Sequence, residues 1–241
     1  MSMSSLFLIA LFAGPVVQAA VPPVTPPDSI IRRLPTSEKV VALTFDACEA
    51  GKRATLDHGI TDFLISKGIP FTVFVSGRFV HDNAAAMRDL ATHPFVEIEN
   101  HSWSHPSDMR TLSDTDVRAE VLRASTEIYS VTARKAHLFR FPGGYADDRV
   151  VALVRDLGFE VVHWRWAEGD PSRSVSADTL VQQTLAKTRP GEVLIFHING
   201  RGWHTAEALP AIVDGLSAAG YQFVLPSAYL PQTHQQAPRT P

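Results

Sequence analysis

Cysteine is almost absent: Cys48 is the only one in 241 residues. That excludes an intrachain disulfide framework and a CxxC metal knuckle. An excess of one charge is missing too. The formal net charge is −3, which offers no basic surface for nucleic acid, although ten histidines can shift the balance near pH 6. The apolar run from Leu6 to Val17 falls short of the ~20 residues that span a bilayer. No repeat and no linker interrupts the middle of the chain. Its length suits one sizeable core and is too short for two comfortable α/β domains.

What is present begins with that short apolar run. It ends in Val17-Gln18-Ala19, and reads as a secretory signal peptide over 1–19, although no Lys or Arg precedes it. An uncleaved apolar anchor is the alternative. Either way the rest of the chain is expected outside the cytoplasm, secreted or periplasmic, with no stable membrane insertion after cleavage. A proline-rich linker over 20–35, one domain over 36–230 and a polar, disordered tail over 231–241 follow.

Within the domain, short apolar runs alternate with helical patterns. Strands are expected at Val40–Phe45, Phe71–Val75, Val96–Glu99, His137–Phe141, Phe159–Trp164, Val193–Phe196 and Gln222–Val224. Helices are expected at Leu56–Lys67, Asn83–Thr92, Asp114–Ser130, Asp147–Leu157, Ala177–Thr188 and Thr205–Ala219. Strand then helix, repeated about seven times, means an α/β fold with a parallel sheet, and so many units favour a distorted (β/α)7-type barrel. Working residues of such barrels sit just after the strands. That rule selects Asp46, His101, Arg140, Trp164, Asp170 and His197, and leaves His58 and His81 as surface or capping residues.

In "HSWSH", His101 and His105 lie four apart, so one helical turn would aim both imidazoles the same way, as half of a metal site. Arg140 precedes the Pro142-Gly143-Gly144 turn, whose N–H groups can hold an oxyanion. His197 ends an apolar strand and is placed to act as general acid, with Asp170 on its other nitrogen. Trp164, Trp166 and Trp203 are candidate walls for a sugar ring.

Together "TFDAC", "HSWSH", "RFPGG", "WAEGD" and "LIFH" resemble the polysaccharide deacetylase family, the NodB-homology domains of carbohydrate esterase family 4, from about Lys39 to Val224. The resemblance implies a divalent metal, usually Zn2+, and hydrolysis of N-acetyl groups from an aminosugar polymer: peptidoglycan, a chitin-type chain or an exported polysaccharide. It implies Asp46 as general base, His101 and His105 as metal ligands, and Arg140 as the residue that steadies the base. Gly143 would be the oxyanion donor, His197 the general acid and Asp170 its partner. Two departures stand out. "WAEGDPS" lacks the family's usual spacing of two aspartates and a tryptophan. The family's second Asp in the first motif, its third metal ligand, is here Ala47. Asp46 itself, Glu49 or Cys48 can fill that role, in that order. Alternation places Cys48 on the Asp46 side if the strand continues. The "DACE" string resembles a variant branch with D-x-C-E. A glycan-binding pseudoenzyme and a small-molecule amidase on the same barrel are the competing readings.

Overall fold

The computed structural model describes residues 30–49 and 54–230. The expected signal segment, most of the expected linker and the tail lie outside the described residues. β1 (Val40–Ala47) is buried at every position, as a strand must be when a parallel sheet is covered on both faces. The pleat divides its side chains. Val41, Leu43, Phe45 and Ala47 pack outward against Ile60 and Leu64 of α1 (His58–Ser66) and Leu209 and Ile212 of α7 (Thr205–Ala218). Val40 and Ala42 join an inner apolar cluster with Phe74, Leu138, Val162 and Val193. Thr44 and Asp46 continue that inner row toward the strand's C-terminal end.

The remaining strands are β2 (Phe71–Val75), β3 (Val96–Asn100), β4 (Leu138–Phe139), β5 (Glu160–Val161), β6 (Glu192–His197) and β7 (Gln222–Phe223). The order is β5-β4-β3-β2-β1-β6, with β7 paired to the start of β1, and every pairing is parallel. The sheet curls into a partial barrel. Residues expected to be linker bridge its two edges: Ile31 pairs with Val162, Arg33 with Glu192, and Leu34 is buried with its N–H on Gly191 O. The folded domain therefore reaches back before residue 36. An apolar Ile-Ile and a buried Leu34 outweigh the proline-rich character of the segment in front of them.

Two other expectations change. β4 and β5 shrink to two residues each. The buried Glu99 carboxylate accepts the N–H groups of His137 and Leu138, each at 2.7 Å, so a side chain replaces the ladder there and only Asn100 and Phe139 remain paired between β3 and β4. The single helix expected at Asn83–Thr92 is preceded by a further one, giving α2 (Gly77–Asp82) and α3 (Ala84–Leu90). Ser76 caps α2 through its hydroxyl, and Asn83 ends it. α4 (Asp114–Thr132), α5 (Asp148–Asp156) and α6 (Ala177–Lys187) lie close to their expected bounds.

Candidate active site

Asp46 and His197 are register partners on adjacent strands β1 and β6, so a carboxylate and an imidazole start from the same level of the sheet. Asp46 is held from below. Arg140, with no exposed surface, donates to Asp46 Oδ1 at 2.8 Å, to Thr44 Oγ1 at 2.9 Å and to Val162 O at 3.1 Å. Its guanidinium lies 4.0 Å from the Phe74 ring centre. A buried guanidinium needs this many acceptors, because leaving any N–H unpaired away from water is costly. Burial opposes ionisation of Asp46, but neighbouring positive charge, with the hydrogen-bonded Arg140 guanidinium part of it, outweighs burial and holds the carboxyl below its usual range.

The two histidines of "HSWSH" come together without the expected helical turn. Ser102 and His105 both adopt left-handed backbone, φ 69° and 54°, and the rings meet edge-on with centres 5.0 Å apart. Such strained positions persist only when their surroundings over-determine them, and here they do. The first N–H groups of α2 donate to Ser102 O and Trp103 O. Glu120 on α4 accepts from Trp103 N, Ser104 N and Ser104 Oγ at 2.7–2.9 Å. Glu120→Ala should therefore cost about 1–3 kcal/mol, the price of stranded polar groups, with Glu120→Gln costing less because its amide oxygen still accepts. Denaturation midpoints decide this: an alanine variant as stable as the parent would refute the clamp.

His101 Nδ1 lies 2.7 Å from Arg140 O. A carbonyl can only accept, so Nδ1 carries the proton, and Nε2 of the neutral ring turns its lone pair toward Asp46 Oδ2, 3.5 Å away. Burial pushes the His101 imidazole down and drives His105 to about 3, with His101 adding to the effect on His105. In kind, these donors fit a divalent cation: two neutral imidazoles and an ionised carboxylate, with one pair at the spacing of ligands that each sit ~2 Å from the same ion. In arrangement the cage is not closed. Among the described residues no three His, Cys, Asp or Glu side chains are gathered round one point, and Ala47 faces the outer apolar cluster. Cys48 is buried, and burial together with Asp46 pushes its thiol up to about 11. It therefore sits there as a neutral group rather than a thiolate. Glu49 is half-buried beyond it.

On the other side, Asp170 is buried and holds His197 twice: Oδ1 lies 3.0 Å from Nδ1, and Oδ2 accepts the His197 N–H at 2.6 Å. Thr205 Oγ1 also donates to Oδ2, at 2.9 Å. Gly202 permits this closure, since a Cβ there would lie 2.8 Å from Asp170 Oδ2. With Nδ1 committed, Nε2 of His197 is the nitrogen left for the cleft. In the turn after Arg140, Gly143 takes a left-handed φ of 63°, and Gly144 gives room to Trp164, whose ring would lie 2.9 Å from a Cβ there. Trp203 is 45% exposed, but Arg173 covers one face at 3.8 Å. Trp166 packs against the outer cluster under Lys187, away from the role of a wall.

Sequence reasoning passed over His163, although the strand-end rule that picked Trp164 applies one residue earlier. His163 is fully buried, stacks on Trp164 and accepts the Phe141 N–H. Burial and Arg140 drive it to about 3 from the ordinary 6.5. A histidine depressed by folding contributes stability that is complete above 6.5 and is lost as pH falls toward 3. Melting temperatures between pH 7 and 4 should fall less steeply in His163→Phe than in the parent; equal slopes would exclude this residue as a source. Glu168, also missed, is buried with Oε2 on the Ile195 N–H, and burial raises its carboxyl well above the usual range.

Comparison with known proteins places this geometry. The sequence pattern of the polysaccharide deacetylase family matches residues 33–162. Peptidoglycan-N-acetylglucosamine deacetylase of Bacillus cereus is 27% identical over 83% of this chain and 92% of its own. Peptidoglycan-N-acetylmuramic acid deacetylase PdaA of Bacillus subtilis is 28% identical over 78% of this chain and 70% of its own. Among solved structures, BA3943 of Bacillus anthracis, a carbohydrate esterase family 4 pseudoenzyme, superposes with a TM-score of 0.74 at 26% identity, covering 84% of this chain and 69% of its own.

Proposed function

The chain belongs to the polysaccharide deacetylase family, and on that premise we propose that it is an exported, divalent-cation-dependent N-deacetylase of an aminosugar polymer. The observation that carries this reading is the pairing of two fixed groups across one mouth: Asp46 held by Arg140, and His197 held by Asp170 on the neighbouring strand. The peptidoglycan deacetylases among its relatives support an N-acetylated glycan as substrate.

Amide hydrolysis needs a deprotonated nucleophile, a neutralised carbonyl oxygen and a protonated leaving nitrogen. Asp46 takes the proton from water through Oδ2, the oxygen not bonded to Arg140. The Gly143 N–H faces the developing oxyanion. His197 Nε2 delivers a proton to the sugar nitrogen, and Asp170 keeps its ring oriented. His101 and His105 would hold the cation, which when bound would supply positive charge that polarises the acetyl carbonyl. The N-terminal apolar run supports export.

Acetate release from N-acetylglucosamine oligomers and from peptidoglycan tests the proposal, with the protein as purified, after chelation and after zinc is returned. Release that vanishes with chelator and returns with zinc is the expected result. Ala47 and the likeness to a pseudoenzyme favour one competing outcome. Glycan binding with neither bound metal nor acetate release would make this a binding protein.

A further inference from the structure

The formal charge of the whole chain is −3, yet its cations are not spread evenly. Five of them crowd the turn between α6 and β6. Lys187 ends α6, and Arg189 lies in the turn. Arg33 donates to Pro190 O in the same turn and pairs with Glu192, the first residue of β6. Arg165 reaches the Glu192 carboxylate through two bonds of 2.9 and 2.8 Å. Lys39 precedes β1, where Gly191 N–H meets Val40 O, and its ammonium lies 5.9 Å from the Tyr221 ring, whose hydroxyl donates to Thr188 O. All five residues are exposed. Their partners leave the charge almost uncancelled. Arg33, Lys39 and Arg189 end on backbone carbonyls, and Lys187 on the Gln183 amide and the Trp166 ring. Among the described residues, the one ion pair these five make is Arg165 with the buried Glu192. Glu38, beside Lys39 in sequence, is exposed and turned to the Tyr229 hydroxyl. The carbonyl end of α6 gives Lys187 and Arg189 a local reason to be there. It gives none for Arg33, Lys39 and Arg165, which come from other segments.

We propose that this basic face docks the domain on an anionic lipid bilayer, with the mouth turned away from it. Clusters of roughly four to eight Lys and Arg bind acidic headgroups through the negative surface potential of a membrane. Two observations favour lipid as the partner. The first is where the chain enters the fold. The described residues begin at Ile30, close to Arg33, and the apolar run upstream ends at Val17. The residues between reach at most about 45 Å when fully extended. While attached, that run therefore tethers the domain by the end that carries the cations. The second is direction. The cations lie level with the first residues of β1 and β6, whereas Asp46 and His197 stand toward the other ends of those strands. A domain docked through this face keeps its mouth open to a polymer above the bilayer. The docking itself does not depend on the deacetylase reading.

The test is co-sedimentation of the full chain with vesicles of phosphatidylcholine and with vesicles of phosphatidylcholine mixed with phosphatidylglycerol. Binding to the neutral vesicles reads the apolar run, and the excess on the anionic ones reads the basic face. At low salt the parent should bind the anionic vesicles at least about ten-fold tighter, and raising the salt should remove that excess. Arg33→Glu, Lys187→Glu and Arg189→Glu together should abolish it. Arg78→Glu, Arg88→Glu and Arg118→Glu together, on α2, α3 and α4, change the net charge equally and should keep most of it. Equal binding to the two kinds of vesicle overturns the proposal, as does an excess that survives high salt or that both triple variants lose alike. Should the first triple variant not fold, Lys187→Gln with Arg189→Gln and the salt dependence of the parent still decide. Binding to soluble poly(glycerol phosphate) without binding to anionic vesicles would also overturn it, and would make this face a site for an anionic polymer.

Discussion

Asp46→Asn is expected to abolish acetate release and to destabilise the protein at the same time. The two effects have different origins. The variant loses the carboxylate that accepts the proton, a role worth about 10²–10⁴-fold in rate. It also leaves Arg140, which has no exposed surface, with a buried charge and no counter-ion, and breaking one side of a buried pair costs about 3–5 kcal/mol. The double variant Asp46→Asn, Arg140→Gln separates them. With both charges gone the stability penalty should shrink, because neutral partners can still hydrogen-bond, while activity stays absent. Denaturant midpoints and acetate assays on the three proteins read this directly. An active Asp46→Asn protein would remove Asp46 from the chemistry, and a double variant no more stable than the single one would remove the ion pair from the stability argument.

His197→Ala should show the opposite balance. His197 is only partly covered, and its imidazole is one of three groups on Asp170. Truncation leaves Asp170 Oδ2 with the residue 197 N–H and the Thr205 hydroxyl but strands Oδ1, so a modest loss of about 1–3 kcal/mol is expected without loss of the fold. Activity should fall about 10²–10⁴-fold, the usual worth of a positioned general acid, without loss of bound metal. A fall in activity matched by lost metal or a collapsed melting temperature would place His197 in the scaffold instead. Near-normal turnover would show that another group protonates the leaving nitrogen.

Much of this arrangement was legible before any coordinates. The alternation of apolar runs and helical patterns specified parallel βα units, because each strand had to be covered on both faces. Asp46, Arg140 and His197 were found by one rule, that barrel chemistry sits at strand ends. Asp170 was found by the same rule, as a residue following the fifth strand, and it does reach His197. Other features were invisible for identifiable reasons. Glu120 sits mid-helix among other charged residues, and nothing local says its carboxylate reaches the backbone between His101 and His105. The helical turn expected there failed because left-handed Ser102 and His105 are allowed only by contacts from α2 and α4. β4 was overestimated because Glu99, distant in sequence, supplies the acceptors that a strand would have supplied. His163 was missed through reading Trp164 alone at that strand end.

The sequence by itself determined the periodicities: that strands and helices alternate, and which polar side chains stand at strand ends. These follow from local chemistry, since pleat and helical repeat assign faces without reference to distant contacts. Only the tertiary structure decided how residues far apart share protons and charge. It aimed Arg140 at Asp46, fixed the His101 tautomer through Arg140 O, and turned Ala47 into the outer core. Those outcomes depend on the curl of the sheet, which brings β1, β4 and β6 to one mouth and is set by packing summed over the whole domain.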